Sequence, residues 1–125
     1  GNASSVHGFG RAARRHVETA RERVAALAGT QATQVTFTSG ATESNNAVLR
    51  LFAGKRIVVS AIEHPAVRSA MDGLEYAPVT PEGIIDLAAL KSLLETKPAP
   101  ALLSVMMVNN ETGVIQPLAD IVRMA

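Results

Sequence analysis

The period of the apolar positions changes several times along the chain, and each change marks an element. Val17, Ala20, Val24 and Leu27 recur at helical spacing, which predicts an amphipathic helix from about Gly10 to Ala28 with Gly29 as its C-terminal stop. Val35 and Phe37 then alternate with Thr36 and Thr38, a largely β-branched run that predicts a short strand entering a core. From Ala41 the spacing is helical again, with Ala41, Val48, Leu51 and Phe52 available for one face. Ile57-Val58-Val59, bounded by Ser60, reads as a second strand. Pro65 suits the first position of a helix running to about Leu74, which makes His64 its cap. Tyr76 to Val79 reads as a short strand, and Thr80-Pro81-Glu82-Gly83 as a turn. Asp86 then caps a helix carrying Leu87, Leu90, Leu93 and Leu94, which ends before Pro98. Ala101 to Val108 is almost continuously apolar and predicts an interior strand of a covered sheet; Pro117 opens a final helix. Strands alternating with helices predict an α/β layered fold with a largely parallel sheet.

Composition narrows the function classes. The 125 residues amount to one domain, and 47% hydrophobic against 18% charged residues describes a globular chain rather than a disordered one. A net charge of +1 supplies no bulk field for nucleic acid or an anionic membrane, and 3% aromatics leave no stacking platform for single strands. No apolar run reaches membrane-spanning length and no secretory signal opens the chain, so a soluble protein is expected. There is no cysteine, hence no disulfide, thiolate metal ligand or thiol nucleophile among these residues. His7, His16 and His64 are scattered, and no metal site is expected from them. The chain starts at Gly1 without an initiator Met and stops at Ala125 inside an uncapped young helix; it reads as a piece of something longer.

The candidate chemistry gathers at strand ends. A strand turning through Ser39-Gly40-Ala41-Thr42 into a helix presents unpaired amides and a positive dipole end, a ready phosphate site with the Ser39 and Thr42 hydroxyls as further donors. An ordinary N-cap accounts for the same residues. Arg11, Arg14 and Arg15 could hold an anion, but Glu18 and Glu22 share their segment and a solvated helix face explains them. In an open α/β sheet, ligands sit beyond the carboxyl ends of the strands. Three predicted strands end in Ser39–Thr42, in Glu63-His64 and in Asn109-Asn110-Glu111, so parallel neighbours would bring an anion cradle, an imidazole and a carboxamide to one crevice. Each has a plainer account: His64 as a helix cap, Asn109 and Asn110 as turn residues, Glu43 and Glu111 as solvated carboxylates.

These residues carry a resemblance. Thr-Ser-Gly-Ala-Thr-Glu-Ser-Asn-Asn (38–46), Ile-Glu-His-Pro-Ala-Val (62–67) and Val-Asn-Asn-Glu-Thr-Gly-Val-Ile-Gln-Pro (108–117) resemble the cysteine desulfurases, in the class V branch of the pyridoxal-phosphate aminotransferase fold. Gly1 to His7 with Gly10-Arg11 is similar to that family's opening loop, with Ala3 where Pro usually stands. The likeness runs end to end, in the family's order. It implies a three-layer αβα fold with a mainly parallel sheet, residues 1–125 being part of the large domain of a fold type I pyridoxal-phosphate enzyme. It further implies that the Ala41 backbone and Thr42 bind the cofactor phosphate, that His64 stacks on the pyridine ring and serves in proton transfer, and that Asn110 hydrogen-bonds the cofactor's phenolic oxygen. The implied reaction removes sulfur from L-cysteine, leaving L-alanine and an enzyme persulfide that passes to acceptor or iron–sulfur scaffold proteins. A cytoplasmic homodimer is implied.

The departures limit the expectation. Lys55, Lys91 and Lys97 lack the Ser-x-His context of the family's Schiff-base lysine. The acidic partner of the pyridine nitrogen, the persulfide cysteine and the substrate-carboxylate arginine are also missing, so the 125 residues alone are expected to be inactive. A selenocysteine lyase or another class V lyase shares the phosphate cradle and the ring-stacking histidine. An alternative of another kind is a non-catalytic binding or dimerisation module that keeps the pocket.

Overall fold

Strand β1 (Ile57–Ser60) lies between β2 (Glu75–Ala77) and β3 (Leu102–Ser104) and pairs in parallel with both, Val59 standing opposite Tyr76 on one side and Ser104 on the other. The computed structural model describes all residues 1–125 and divides into two units, Gly1–Thr38 and Ser39–Ala125; the sheet belongs to the second. Every residue of β1 is buried. Successive side chains of a strand point to opposite faces, so an all-apolar strand needs cover on both. Val58 enters a cluster with Ala77, Ile85, Leu90 and Ile121, on the side of α4 (Leu87–Glu95) and α5 (Leu118–Met124). Ile57 and Val59 enter the opposite cluster with Leu49 and Val67, on the side of α2 (Ala41–Leu51) and α3 (Pro65–Arg68). Leu103 and Leu102 divide between the same two clusters. The second unit is therefore a three-layer αβα arrangement on a parallel sheet, as the alternation of elements predicts. Each fully buried Val, Ile or Leu contributes roughly 1.5–3 kcal/mol relative to exposure.

The helix signals are mostly realised. Asp86 Oδ1 accepts from the Ala88 and Ala89 amides, both at 3.0 Å, to start α4. His64 caps α3 with Pro65 at its first turn. In the first unit α1 (Gly8–Ala28) is capped by His7 and ends on Gly29 in the left-handed conformation at φ 66°. Its predicted apolar stripe is largely exposed, Leu27 to 91%, and within its own unit Ala25 and Gly10 are the buried positions.

Four expectations need correction. Val35–Thr38 forms no strand. A single 3-10 turn, Ala32–Gln34, precedes it, the Val35 carbonyl accepts from Arg21 rather than from a ladder, and the Arg21 guanidinium stands 5.0 Å over the Phe37 ring. Alternating β-branched residues favour an extended backbone, but a strand also needs a neighbour. The Ala101–Val108 run yields only Leu102–Ser104, at an edge of the three strands and half-buried, while the interior place goes to β1. Its apolarity reflects the two covered faces, and its outer edge has no partner strand. Helix α3 stops at Arg68 instead of Leu74; Ala70, Met71 and Leu74 still pack beneath α2 and α3, and Gly73 turns at φ 79°. The strand placed at Tyr76–Val79 is Glu75–Ala77, with Val79 forming only an isolated bridge to Ile85.

No helix is long and apolar enough to cross a membrane.

Candidate functional site

The start of α2 is open. Its N-cap is Gly40, which offers no side chain, so the Ala41, Thr42 and Glu43 amides find no acceptor within the helix. Ser39 and Glu43 close the loop around this start: Glu43 Oε2 accepts from the Ser39 amide at 2.7 Å and the Ser39 hydroxyl at 2.6 Å. The Ser39 side-chain hydrogen bond, with the backbone one behind it, holds the Glu43 carboxyl below its ordinary value. This corrects the expectation that the Ser39 hydroxyl donates to a ligand; it is committed to Glu43. The Thr42 side chain stays exposed beside the open amides.

Thr42 and His64 line one open cleft of about 330 Å³, together with Asn46 and Ser69. Parallel pairing puts the carboxyl end of β1 here, and His64 follows it by four residues. The imidazole Nδ1 accepts from the Ala66 amide at 3.1 Å, which fixes the tautomer with the proton on Nε2. His64 is thus a helix cap and a cleft residue at once. Asn46 sits one turn below Thr42 and donates from Nδ2 to the Thr42 carbonyl at 2.9 Å.

The loop after β3 arrives beside the loop after β1. Asn109 Oδ1 accepts from the Glu111 and Thr112 amides at 2.9 and 3.0 Å, and its Nδ2 donates to the Ile62 carbonyl at 3.4 Å. Asn109 is therefore the turn residue. Asn110 is exposed in that turn and does not line the cleft that Thr42 and His64 share. Buried Glu63 reaches across the same junction, accepting at Oε1 from Ser60 Oγ at 2.8 Å and from the Met106 amide at 2.5 Å.

Of the four residues singled out from sequence, Thr42 and His64 are brought together, Ala41 shares the open helix start, and Asn110 lies on the adjoining loop. The roles of Glu43, Glu63, Asn46 and Ser69 were missed. Asn46 stands four residues after Thr42, and Glu63 is a carboxylate beside an apolar strand; those spacings are the signals that could have found them.

These residues suit pyridoxal phosphate in part. Open amides and a hydroxyl at a helix start fit a phosphate, and a cleft walled by an imidazole fits a flat ring. No lysine lines the cleft, so its residues offer such a cofactor no covalent anchor.

The comparisons with known proteins give the chain a family. A relative named cysteine desulfurase IscS from Dictyoglomus turgidum is 39% identical over all of this chain and 34% of its own length. A solved structure described as a NifS-like protein superposes with a TM-score of 0.87 at 38% identity, covering 99% of this chain and 37% of that one. Another, described as SspA in complex with cysteine, gives 0.78 at 30% identity over 100% of this chain and 39% of that one. The chain spans about a third of the length of the curated relatives it matches. The profile of the aminotransferase class-V family matches residues 1–125 from end to end, and the chain belongs to that family.

Proposed function

We propose that this chain is the first part of the cofactor-binding large domain of a pyridoxal-phosphate cysteine desulfurase. The observation that carries the reading is the uncapped start of α2 opening beside His64 in one cleft. Relatives named cysteine desulfurase and a similar structure solved with cysteine support the substrate. When bound, the cofactor supplies an electron sink for breaking the C–S bond of L-cysteine. The Ala41 and Thr42 amides and the Thr42 hydroxyl would hold its phosphate. His64 would cover the ring, and because Nδ1 is committed to the Ala66 amide, Nε2 is the atom that would carry a proton to or from the reacting group. Asn110 would approach the phenolic oxygen from the loop after β3. L-alanine would leave, and the sulfur would pass as a persulfide from a cysteine outside these residues to an acceptor or iron–sulfur scaffold protein. A cytoplasmic homodimer is part of the same proposal.

The test is to supply the full-length gene product with pyridoxal phosphate and L-cysteine and to measure L-alanine. Alanine formed in step with transferable sulfur is expected. Turnover of selenocysteine but not cysteine would replace the reading with a selenocysteine lyase, and cofactor-independent behaviour would leave a binding module.

A further inference from the structure

A buried carboxylate without a cation is costly unless strong donors compensate it. Glu63 is 7% exposed and joins no ion pair; both its hydrogen bonds fall on one oxygen, Oε1. The donors come from the ends of different strands. Ser60 ends β1, and Met106 lies two residues beyond β3, 43 residues from Glu63 in sequence. The Asn109 to Ile62 contact is the other tie across this junction and, at 3.4 Å, lies beyond the usual hydrogen-bond range.

We propose that Glu63 is a positioning residue that sets the spacing between the imidazole of His64 and the loop carrying Asn110. Its side chain anchors the residue directly before His64 to the segment that leads, four residues on from Met106, to Asn110. Asn109 shapes that loop internally, but Glu63 fixes where the loop begins relative to α3. The functional part of this inference rests on the desulfurase reading; the clasp itself does not.

The experiment uses the full-length protein with Glu63→Gln and Glu63→Asp. Glutamine keeps an acceptor oxygen at the same reach for both donors. Aspartate keeps the charge but is one methylene short. Glu63→Asp is expected to lose about tenfold or more in kcat per bound cofactor, with KM for cysteine little changed, because misplacing a reacting group by a fraction of an ångström to an ångström costs on that scale. Its bound-cofactor absorbance band should shift, and Met106 amide exchange should accelerate. Glu63→Gln should stay within a few-fold of wild type in all three. Glu63→Asp with wild-type kcat, band and exchange would overturn the proposal. So would a loss in Glu63→Asp accounted for by lost folded protein or cofactor, or a Glu63→Gln variant as impaired as Glu63→Asp, which would assign the effect to charge. A wild-type protein that binds no pyridoxal phosphate would sink the desulfurase reading instead, while the Met106 exchange comparison would still decide the clasp.

Discussion

Helices α2 and α4 flank opposite faces of the same sheet and begin in opposite ways. At α4 the Asp86 carboxylate takes two amides at 3.0 Å each, and the start of the helix is chemically closed. At α2 the N-cap is Gly40, the nearby carboxylate of Glu43 turns back to Ser39, and no side chain caps the first amides, of whose residues Thr42 lines the cleft. A carboxylate cap is used where a helix need only be stable, and a glycine, at a cost of about a few tenths of a kcal/mol, where the first turn carries a cleft residue, Thr42. The anion-seeking end of α2 is thus a local departure from what stability alone would favour, and departures of that kind collect at functional sites.

The contrast can be broken from either side. The largest effect should come from the packing that holds α4 whatever its cap: Leu90 is completely buried, so Leu90→Ala should cost about 3 kcal/mol in denaturant unfolding, well beyond the loss of any cap. Next comes Gly40→Asp, which would give α2 a carboxylate cap like that of α4. The backbone at Gly40 is extended at φ 164°, and an added Cβ meets nothing within 4 Å, so the substitution is sterically free. It should leave stability unchanged or slightly raised while weakening pyridoxal-phosphate binding by the full-length protein about tenfold, near 1.4 kcal/mol, measured by cofactor titration. Asp86→Ala should do the converse, costing about 1 kcal/mol of stability with cofactor affinity unchanged. The smallest effect is in the acid range. The folded-state pKa of Glu43 lies below its ordinary value of 4.5, chiefly through the Ser39 hydroxyl, so its contribution is present above that value and lost as pH falls through the folded pKa. Ser39 amide exchange should therefore rise in that window, and Glu43→Gln should abolish the pH dependence.

How much of this could be read in the residues follows from what each signal measures. Asp86, His64-Pro65 and Gly29 act within a turn of their own position, so their caps and stops were legible. Ile57-Val58-Val59 was legible as a strand, but its interior place with both faces covered was expected of Ala101–Val108, because strand order depends on pairings that the run itself does not encode. Val35–Thr38 carries an equally good strand pattern and forms none, since pairing depends on residues distant in sequence. The same limit explains the site. Thr42 and His64 each sit at a local start signal that the sequence shows, and the structure brings both to one cleft. The hydrogen bond that the Met106 amide donates to Glu63 and the longer contact from Asn109 to Ile62 span 43 and 47 residues and leave no local trace. Likewise Ser39 was expected to face a ligand because its engagement with Glu43 is a choice between two geometries that spacing alone permits.

The central claim is that the open start of α2 is a phosphate cradle. It is tested most directly by titrating the full-length wild type and its Thr42→Ala variant with pyridoxal phosphate and with pyridoxal, which lacks the phosphate. The account predicts that the wild type prefers the phosphorylated form and that Thr42→Ala narrows this preference about tenfold while leaving pyridoxal binding unchanged. Equal affinity for the two compounds in the wild type, or a preference untouched by Thr42→Ala, would contradict it.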